Sequence, residues 1–459
     1  MAAPHRCGPA LGHDNQPRGG AYTVSVRGRH NGQVSAPNVV IVGAGFAGLH
    51  ATNDLVAAGA RVTLIDRHPY TTFQPLLYQV ATGGLNPGDV TYSLRALAAE
   101  KRGRVRFRRA NVTGIDTEQQ RVMTDVGEPV DYDYLVLAQG VGANFFGIPG
   151  ADRYARSIYT RGEALEVRDL LFGLLEGLTV AAPNQELSVV VVGGGATGVE
   201  MAGTLAEMRM QGLPVAYPEI NPTQVRVMLV EMAPHVLAPF DESLRRYTLR
   251  QLRERGVDVR LDTAIAEVRE HEVEFKDGQV ERADLVIWAA GIGGHELVKQ
   301  WGIPQGRGGR IIVDPDLRVR DQEKVFAVGD AAVVEDDPSP QLAQPAIQMG
   351  KLVARNIKAL DHGQPMESFR YKDKGTMATI GRSAAVVELP NGTKFTGFTA
   401  WSMWVALHLS FLLGGRNRIQ AMINLGFRYL LYPRNANAIV GDLADSETGE
   451  LPGPRKHGS

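Results

Sequence analysis

Two glycine clusters in this chain have the residue types and the spacing that bind the phosphates of a dinucleotide. They are Gly43-Ala44-Gly45-Phe46-Ala47-Gly48 and Gly193-Gly194-Gly195-Ala196-Thr197-Gly198, and the second follows the first by 150 residues. In such a fingerprint the first glycine forms a tight turn, the second lets the backbone approach a pyrophosphate, and the third lets helix and strand pack closely. Two fingerprints in one chain predict two bound dinucleotides, an arrangement suited to electron transfer between them.

Each cluster is positioned by a predicted strand before it and a predicted helix after it. The runs Val39–Val42 and Val189–Val192 consist of β-branched residues, as in buried parallel strands. The residues after each cluster have a helical pattern. A helix that begins there directs its free N–H groups and the positive end of its dipole at the phosphates.

An acidic residue ends the next predicted strand in each half of the chain. Asp66 follows Gly48 by 18 residues, close to the usual spacing of about 20. Glu231 follows Gly198 by 33 residues, which predicts an insertion around residues 211–224. Each carboxylate is expected to bind ribose hydroxyls, and Glu231 would also repel a 2′-phosphate and favour NADH over NADPH. The alternative for both is a solvated acid at a strand end.

The repeat continues beyond the fingerprints and predicts two homologous α/β domains. A later apolar strand ends at Gly140 in the first half and at Gly291 in the second. Residues 325–332 then predict a further strand, a turn at Gly329-Asp330 and a helix. Because this segment follows the second domain, we expect the second domain to be inserted in the first. Asp330 is short enough to bind a polyol chain, and the alternative is a cap for the following helix.

Composition excludes several classes of function. The chain has 459 residues and a formal net charge of −1, so no overall field attracts nucleic acid. Its one cysteine, Cys7, excludes a structural disulfide, a CxxC redox pair and cysteine-ligated metal centres. The 11 histidines lack a metal-binding spacing, and no metal site is predicted.

The C-terminal region predicts helices that lie on a membrane surface. Residues 395–413 are apolar and include Trp401 and Trp404, but the run is slightly shorter than the roughly 20 residues of a spanning helix. In the following stretch, apolar residues recur on one helical face: Ile419, Met422, Ile423, Phe427, Leu430 and Leu431. Such an amphipathic helix with arginines on its polar face lies among lipid headgroups. The alternative is a dimerisation or core helix.

The fingerprints, together with Leu135–Gly140 and Phe326–Asp330, resemble the flavoproteins with two dinucleotide-binding domains. Three further segments, Phe73–Gly83, Ala343–Gln348 and Tyr371–Met377, are similar to the type II NADH dehydrogenases, and the resemblance covers roughly residues 38–432. It implies FAD at the first fingerprint and NADH at the second. It also implies hydride transfer to the flavin, reduction of a membrane quinone (menaquinone or ubiquinone) without proton pumping, a homodimer, and a peripheral, monotopic location on the cytoplasmic face of the inner membrane.

The predicted fold is α/β, with two Rossmann-like dinucleotide-binding domains, the second inserted in the first, and a C-terminal amphipathic helical membrane anchor. The predicted divisions are a disordered N-terminal extension over 1–37, an FAD-binding domain over 38–150 and 305–393, an NADH-binding domain over 151–304, anchor or dimerisation helices over 394–434, and a flexible tail over 435–459.

The resemblance implies binding residues for each ligand. Those for FAD are Gly43, Gly45, Phe46, Ala47, Gly48, Asp66, Arg67, Gln74, Ala138, Gly140, Gly329, Asp330, Ala343 and Gln344. Those for NADH are Gly193, Gly195, Thr197, Gly198, Glu200, Glu231, Ala290 and Gly291. Those for the quinone are Gln344, Ala346, Ile347 and Gln348.

Four residues are predicted to take part in the reaction. Gln344 and Gln348 are four residues apart on one helical face, and an uncharged amide can donate a hydrogen bond to a quinone carbonyl. Glu200, placed in the first turn of its helix, either handles a proton, places the nucleotide, or interacts with the helix dipole. Lys374 either stabilises an anionic reduced flavin or is a surface lysine.

Two other functions are compatible with the sequence. One is a soluble flavoprotein reductase that passes electrons to a protein such as ferredoxin, against which the apolar tail and the glutamine pair argue. The other is a flavoprotein that senses NADH without rapid turnover. Disulfide reductases and sulfide:quinone oxidoreductases need a cysteine pair beside the flavin, which this chain lacks.

Overall fold

The computed structural model describes residues 36–182, 184–415 and 418–423. Most of the extension predicted over 1–37, the tail predicted over 435–459, and residues 424–434 of the predicted anchor lie outside the described residues.

The first sheet has five parallel strands. Their order is Val325–Ala327, Tyr134–Leu137, Asn38–Val42, Arg61–Asp66 and Val105–Arg109. The strand before the first fingerprint lies at the centre, where Val39, Val40 and Ile41 are fully buried. Burial on both faces agrees with a continuous run of β-branched residues. The edge strand Val325–Ala327 comes from the chain that follows the second sheet.

The second sheet repeats this arrangement around the second fingerprint. Its strand order is Ala155–Ser157, Leu285–Trp288, Leu187–Val192, Val225–Val230 and Asp258–Arg260, with all pairs parallel. The strand before the fingerprint is again central and buried along its whole length. The α/β class with parallel sheets is confirmed.

Antiparallel sheets complete the fold. One lies in each half, formed by Val112–Asp116, Arg121–Thr124 and Val130–Asp131, and by Ile265–Val268, Glu272–Phe275 and Val280–Arg282. A further antiparallel sheet is formed by Thr376–Gly381, Ala384–Glu388 and Lys394–Thr396. Two short antiparallel pairs are Tyr70–Thr72 with Thr91–Ser93 and Gly142–Ala143 with Ile292–Gly293. A short parallel pair joins Ile311–Ile312 to Ala332–Val333.

The helices begin where the fingerprints predict them. The α-helices are Phe46–Ala57, Leu77–Ala81, Leu94–Glu100, Ala151–Tyr154, Arg161–Thr179, Ala196–Glu207, Leu213–Ala216, Glu242–Glu254, Ala343–Asp361 and Gly397–Phe411. In the second half, the connection from the fingerprint helix to the strand Val225–Val230 is longer than in the first half. It contains a π-helical turn over Met208–Gly212 and a 3₁₀ turn over Pro222–Gln224. The first fingerprint helix packs on Ala343–Asp361 so closely that a Cβ on Gly350 would overlap the Ala47 carbonyl group.

The prediction of a helix directly after Asp330 is wrong. The chain forms a 3₁₀ turn over Gly329–Ala331 and then the strand Ala332–Val333, and the next helix begins only at Ala343. The strand forms because its backbone pairs with Ile311–Ile312. The β-branched isoleucines and Val333 also favour an extended backbone. Asp330 therefore does not cap a following helix.

The helix Gly397–Phe411 has one buried side and several exposed apolar residues. Ala400 and Trp404 are buried, and the helix packs on the strand Ala384–Glu388. Apolar side chains that remain exposed are Phe398, Leu407 and Phe411, and beyond them Ile419, Met422 and Ile423 in the helical residues 418–423. Across the described residues, no helix combines the length and the apolar character needed to cross a bilayer.

Candidate active site

One cavity joins the carboxyl ends of the two parallel sheets. Its volume is about 470 Å³, and its lining includes residues from both fingerprint regions and from the helix Gly397–Phe411. The carboxyl edge of a parallel sheet is where α/β proteins bind ligands. The cavity therefore contacts residues of both fingerprint regions.

The glycines of each fingerprint are required by the backbone geometry. Gly43 and Gly193 have φ of +99° and +110°, a region that side chains rarely adopt. A Cβ on Gly198 would overlap the carbonyl group of Gly193, and Gly48 has the same relation to Gly43. Gly45 has open space in front of it, and so has Gly195. Each loop thus leaves its backbone accessible to a pyrophosphate.

The two strand-end acids make equivalent hydrogen bonds. Asp66 accepts hydrogen bonds from the amides of Ala44 and His68, both at 2.8 Å. Glu231 accepts hydrogen bonds from Gly194 and, at 2.7 Å, from Ala233. Burial raises the pKa of Asp66, while its two amide partners act in the opposite direction. Each acid therefore fixes its own fingerprint turn.

The side-chain length of each acid matches the size of the fingerprint residue whose amide it binds. A Cβ on Gly194 would lie 2.9 Å from a carboxylate oxygen of Glu231. In the first fingerprint this position is Ala44, and its partner Asp66 is one methylene shorter. The longer acid therefore requires the smaller residue.

Asp330 is a largely buried carboxylate in the first half of the cavity. Burial raises its pKa to about 6, while Arg310 and the hydroxyl of Tyr159 act to lower it. The Tyr159 hydroxyl donates to Asp330 over a long 3.4 Å, and Arg310 Nε donates to the Asp330 carbonyl at 3.1 Å. Asp330 is therefore mostly ionised at neutral pH and lies among polar groups from three segments. The sequence did not indicate Tyr159 or Arg310.

Glu200 lies in the second turn of its helix, which begins at Ala196, so its predicted position in the first turn is wrong. Its side chain is buried and accepts a hydrogen bond from the Thr379 amide at 3.3 Å. Burial raises the pKa of Glu200 to about 8, and the Thr379 amide and the Trp404 indole oppose this rise. Among the residues that the structure describes, the indole N–H has no hydrogen-bond partner of standard geometry. At neutral pH Glu200 is mainly a protonated acid facing the cavity.

The C-terminal helix contributes His408 to the cavity lining. Its Nδ1 lies 2.8 Å from the Trp404 carbonyl oxygen, so Nδ1 carries the proton and donates. Its ring stacks on Trp404 with centroids 4.0 Å apart and meets Phe73 edge-on. Burial lowers the pKa of His408 to about 4, which leaves Nε2 as a hydrogen-bond acceptor at neutral pH. No sequence motif indicated this residue.

The predicted quinone helix is present, but its members face different surroundings. Ala343 and Ala346 line the cavity, and Gln344 is half-buried beside them. The Gln348 amide donates to the Lys372 carbonyl at 2.9 Å and accepts from the Lys372 amide at 3.0 Å. Gln348 thus holds the segment before Lys374, and Lys374 itself is exposed.

The structure divides the predicted site residues into two groups. Those that line the cavity are Gly43, Gly45, Phe46, Ala47, Asp66, Arg67, Gln74, Ala138, Gly140, Thr197, Glu200, Gly291, Gly329, Asp330, Ala343 and Ala346. Those outside its lining are Gly48, Gly193, Gly195, Gly198, Glu231, Ala290, Gln344, Ile347, Gln348 and Lys374. Arg161 and His295 also line it without having been predicted. Within the described part of the chain, no cluster of three or more His, Cys, Asp or Glu residues has an arrangement that could hold a metal ion.

Comparisons with known proteins agree with this architecture. Residues 37–350 match the family model of the pyridine nucleotide-disulphide oxidoreductases, and residues 374–433 match the NDH2 C-terminal domain. A solved structure of NDH2 from Plasmodium falciparum in complex with NADH is similar in fold, with a TM-score of 0.81 and 21% identity, over 88% of this chain and 100% of that one.

Curated relatives are similar along most of their length. The type II NADH:quinone oxidoreductase Ndh of Mycobacterium tuberculosis is 35% identical over 428 residues, which cover 89% of this chain and 92% of that protein. The type II NADH:quinone oxidoreductase of Haemophilus influenzae is 31% identical, over 77% of this chain and 87% of that protein. The chain therefore belongs to the type II NADH:quinone oxidoreductase family.

Proposed function

We propose that the protein is an FAD-dependent enzyme that oxidises NADH and reduces a membrane quinone, either menaquinone or ubiquinone, without pumping protons. The observation that carries this proposal is the single cavity reached by both fingerprint regions and by the C-terminal helix. When bound, FAD would accept a hydride from NADH and pass the electrons to the quinone.

The residues of the first half fit FAD. Gly45 and Gly140 have open space where a Cβ would stand, so the backbone leaves room for a ligand there. Asp66 and Asp330 both line the cavity. In this proposal Asp66 would accept ribose hydroxyls, and Asp330 would accept the hydroxyls of a ribityl chain. Arg310 compensates the charge of Asp330.

The residues of the second half fit NADH. Gly193 and Gly198 allow the tight turn, and the open space at Gly195 admits the pyrophosphate. Glu231 would accept the adenosine ribose hydroxyls and repel a 2′-phosphate, which favours NADH over NADPH. Ala290 and Gly291 follow the strand on the other side of the fingerprint.

Quinone reduction consumes protons, and Glu200 is placed to hold one. Because its pKa is raised to about 8, its carboxyl carries a proton at neutral pH and can donate it inside the cavity. His408 accepts hydrogen bonds through Nε2 and so suits a hydroxyl of the reduced product. Gln344 follows the cavity-lining Ala343, and in this proposal its amide would donate to a quinone carbonyl.

The remaining predicted residues have supporting roles in this proposal. Gln348 holds the Lys372 backbone in place, and Lys374 follows in the same segment and supplies a positive charge near the site. Ala346 provides an apolar surface in the cavity, and the buried Ile347 packs behind it.

We further propose that the protein is a monotopic, peripheral enzyme of the cytoplasmic face of the inner membrane and forms a homodimer. The exposed apolar residues Leu407 and Phe411 and the exposed Ile419, Met422 and Ile423 support contact with lipid. Deleting residues from 396 onward should move the protein from the membrane to the soluble fraction, and unchanged membrane association would contradict the proposed anchor.

The test follows the colour of bound flavin under anaerobic conditions. NADH should bleach the purified protein, and a menaquinone or ubiquinone analogue should restore the colour. Reoxidation by a small iron–sulfur protein but not by quinone would instead support the soluble reductase. The double variant Gln344→Ala, Gln348→Ala should slow reoxidation and spare bleaching, whereas equal loss of both steps would indicate a structural role.

A further inference from the structure

A loop between the two halves is fixed against the second sheet. Residues 144–147 follow the strand Gly142–Ala143, which pairs with Ile292–Gly293. The Asn144 carbonyl accepts a hydrogen bond from the indole of Trp288 at 2.9 Å, and the Phe145 ring lies 5.5 Å from the Trp288 ring. The loop is therefore held at the end of the strand Leu285–Trp288.

This loop presents Phe146 in an unusual conformation. Its backbone has φ of +52°, and its amide donates to the Asn144 side chain at 2.8 Å. The side chain is 62% exposed, and a Cβ on Gly291 would overlap its ring. A left-handed backbone favours glycine, and an exposed ring gains little from packing. Neither local conformation nor the core therefore accounts for phenylalanine at this position.

The place of Gly291 in the sheet indicates which half of a dinucleotide the ring would meet. Gly291 follows Leu285–Trp288, which pairs with one side of the fingerprint strand, and Glu231 follows the strand on the other side. The acid binds the adenosine ribose, and the dinucleotide crosses the fingerprint loop from there. The nicotinamide half therefore lies on the Gly291 side, and Gly291 also lines the cavity shared with the first half.

We propose that the exposed ring of Phe146 packs against the nicotinamide riboside half of NADH and fixes its position at the cavity. This inference rests on the NADH site proposed above. Strain kept at an exposed position is typical of ligand-binding segments. An aromatic contact of this kind corresponds to about a 3- to 10-fold gain in affinity.

The test compares two ligands by calorimetric titration of the FAD-loaded protein. NAD⁺ contains both halves and does not reduce the flavin, whereas ADP-ribose lacks the nicotinamide ring. Phe146→Gly should weaken NAD⁺ binding by about 3- to 10-fold and leave ADP-ribose binding unchanged, because only the ring contact is lost. Its Tm should be unchanged or higher, because glycine suits the left-handed backbone. Phe146→Tyr should retain the affinity for NAD⁺.

A matched control is Phe398→Ala, since Phe398 is also an exposed phenylalanine, at 65%, and belongs to the helix Gly397–Phe411 rather than to the loop at the second sheet. Unchanged NAD⁺ affinity in Phe146→Gly would overturn the inference. Equal loss of both ligands would also overturn it, because the ring would then act on the adenosine side or on the loop itself. If the unaltered protein binds neither ligand, the proposed NADH site fails, and that outcome is distinct from a defect in the variant alone.

Discussion

Replacing Glu200 by glutamine should change stability in a pH-dependent way. Glutamine keeps the size of the side chain but cannot ionise. In the folded protein the pKa of Glu200 is raised from 4.5 to about 8. Between these values the unfolded chain releases the proton while the folded chain keeps it. The carboxyl therefore makes the protein progressively less stable as pH rises from about 5 to about 8.

The magnitude follows from the same two values. At 1.36 kcal/mol per pH unit, the interval from 4.5 to about 8 corresponds to at most about 5 kcal/mol. Glu200→Gln should therefore have nearly the Tm of the unaltered protein at pH 5. Its relative Tm should rise with pH and level off above pH 8.

The assay is thermal unfolding of FAD-loaded protein at a series of pH values between 5 and 9. The control is Glu296→Gln, the same substitution at a side chain that is 81% exposed. A pH-independent difference for Glu200→Gln would refute the burial argument. A difference that falls as pH rises would mean that the folded protein favours the carboxylate.

Three further predictions concern Asp330, Gly194 and Gln348. Because burial raises the pKa of Asp330 to about 6, FAD should be released more readily as pH falls through 6. Asp330→Asn should release FAD readily at every pH, as measured by flavin fluorescence. A pH profile unchanged by this substitution would exclude a role for the carboxylate. Gly194→Ala should weaken NAD⁺ binding about 10-fold in calorimetric titration, since the added methyl group displaces Glu231. Adding Glu231→Asp should restore part of the lost NAD⁺ affinity. An additive loss in that double variant would contradict the size matching. Gln348→Ala removes two exposed hydrogen bonds to the Lys372 backbone and should lower the free energy of unfolding by about 0.5–1.5 kcal/mol in denaturant unfolding. An unchanged free energy of unfolding would show that solvent replaces both bonds.

Local patterns predicted the parts of the fold that depend on backbone geometry. Gly43 and Gly193 could be assigned because a tight turn before a helix leaves few residue types to choose from. The buried strands could be assigned because β-branched runs favour them. The stretch after Asp330 could not, since its conformation depends on pairing with Ile311–Ile312, which lies elsewhere in the chain.

The environment of the site was harder to predict than its members. Glu200 was identified, but its burial depends on Thr379 and Trp404, which are far away in sequence. Tyr159 and His408 reach the cavity from segments whose sequences carry no motif. Periodicity reports which face of an element is apolar, and it contains no information on which distant side chain meets that face.

The C-terminal helix sets how far a lipid-soluble substrate would have to travel. Leu407 is exposed, and the next residue, His408, lines the cavity. Side chains of consecutive residues point about 100° apart around a helix, so this single helix has the cavity on one side and an exposed apolar surface on another. If lipid contacts this helix as proposed, a quinone would need to bring only its head group out of the bilayer while its isoprenoid tail stayed behind. The product would then leave by the same short path, without passing through water.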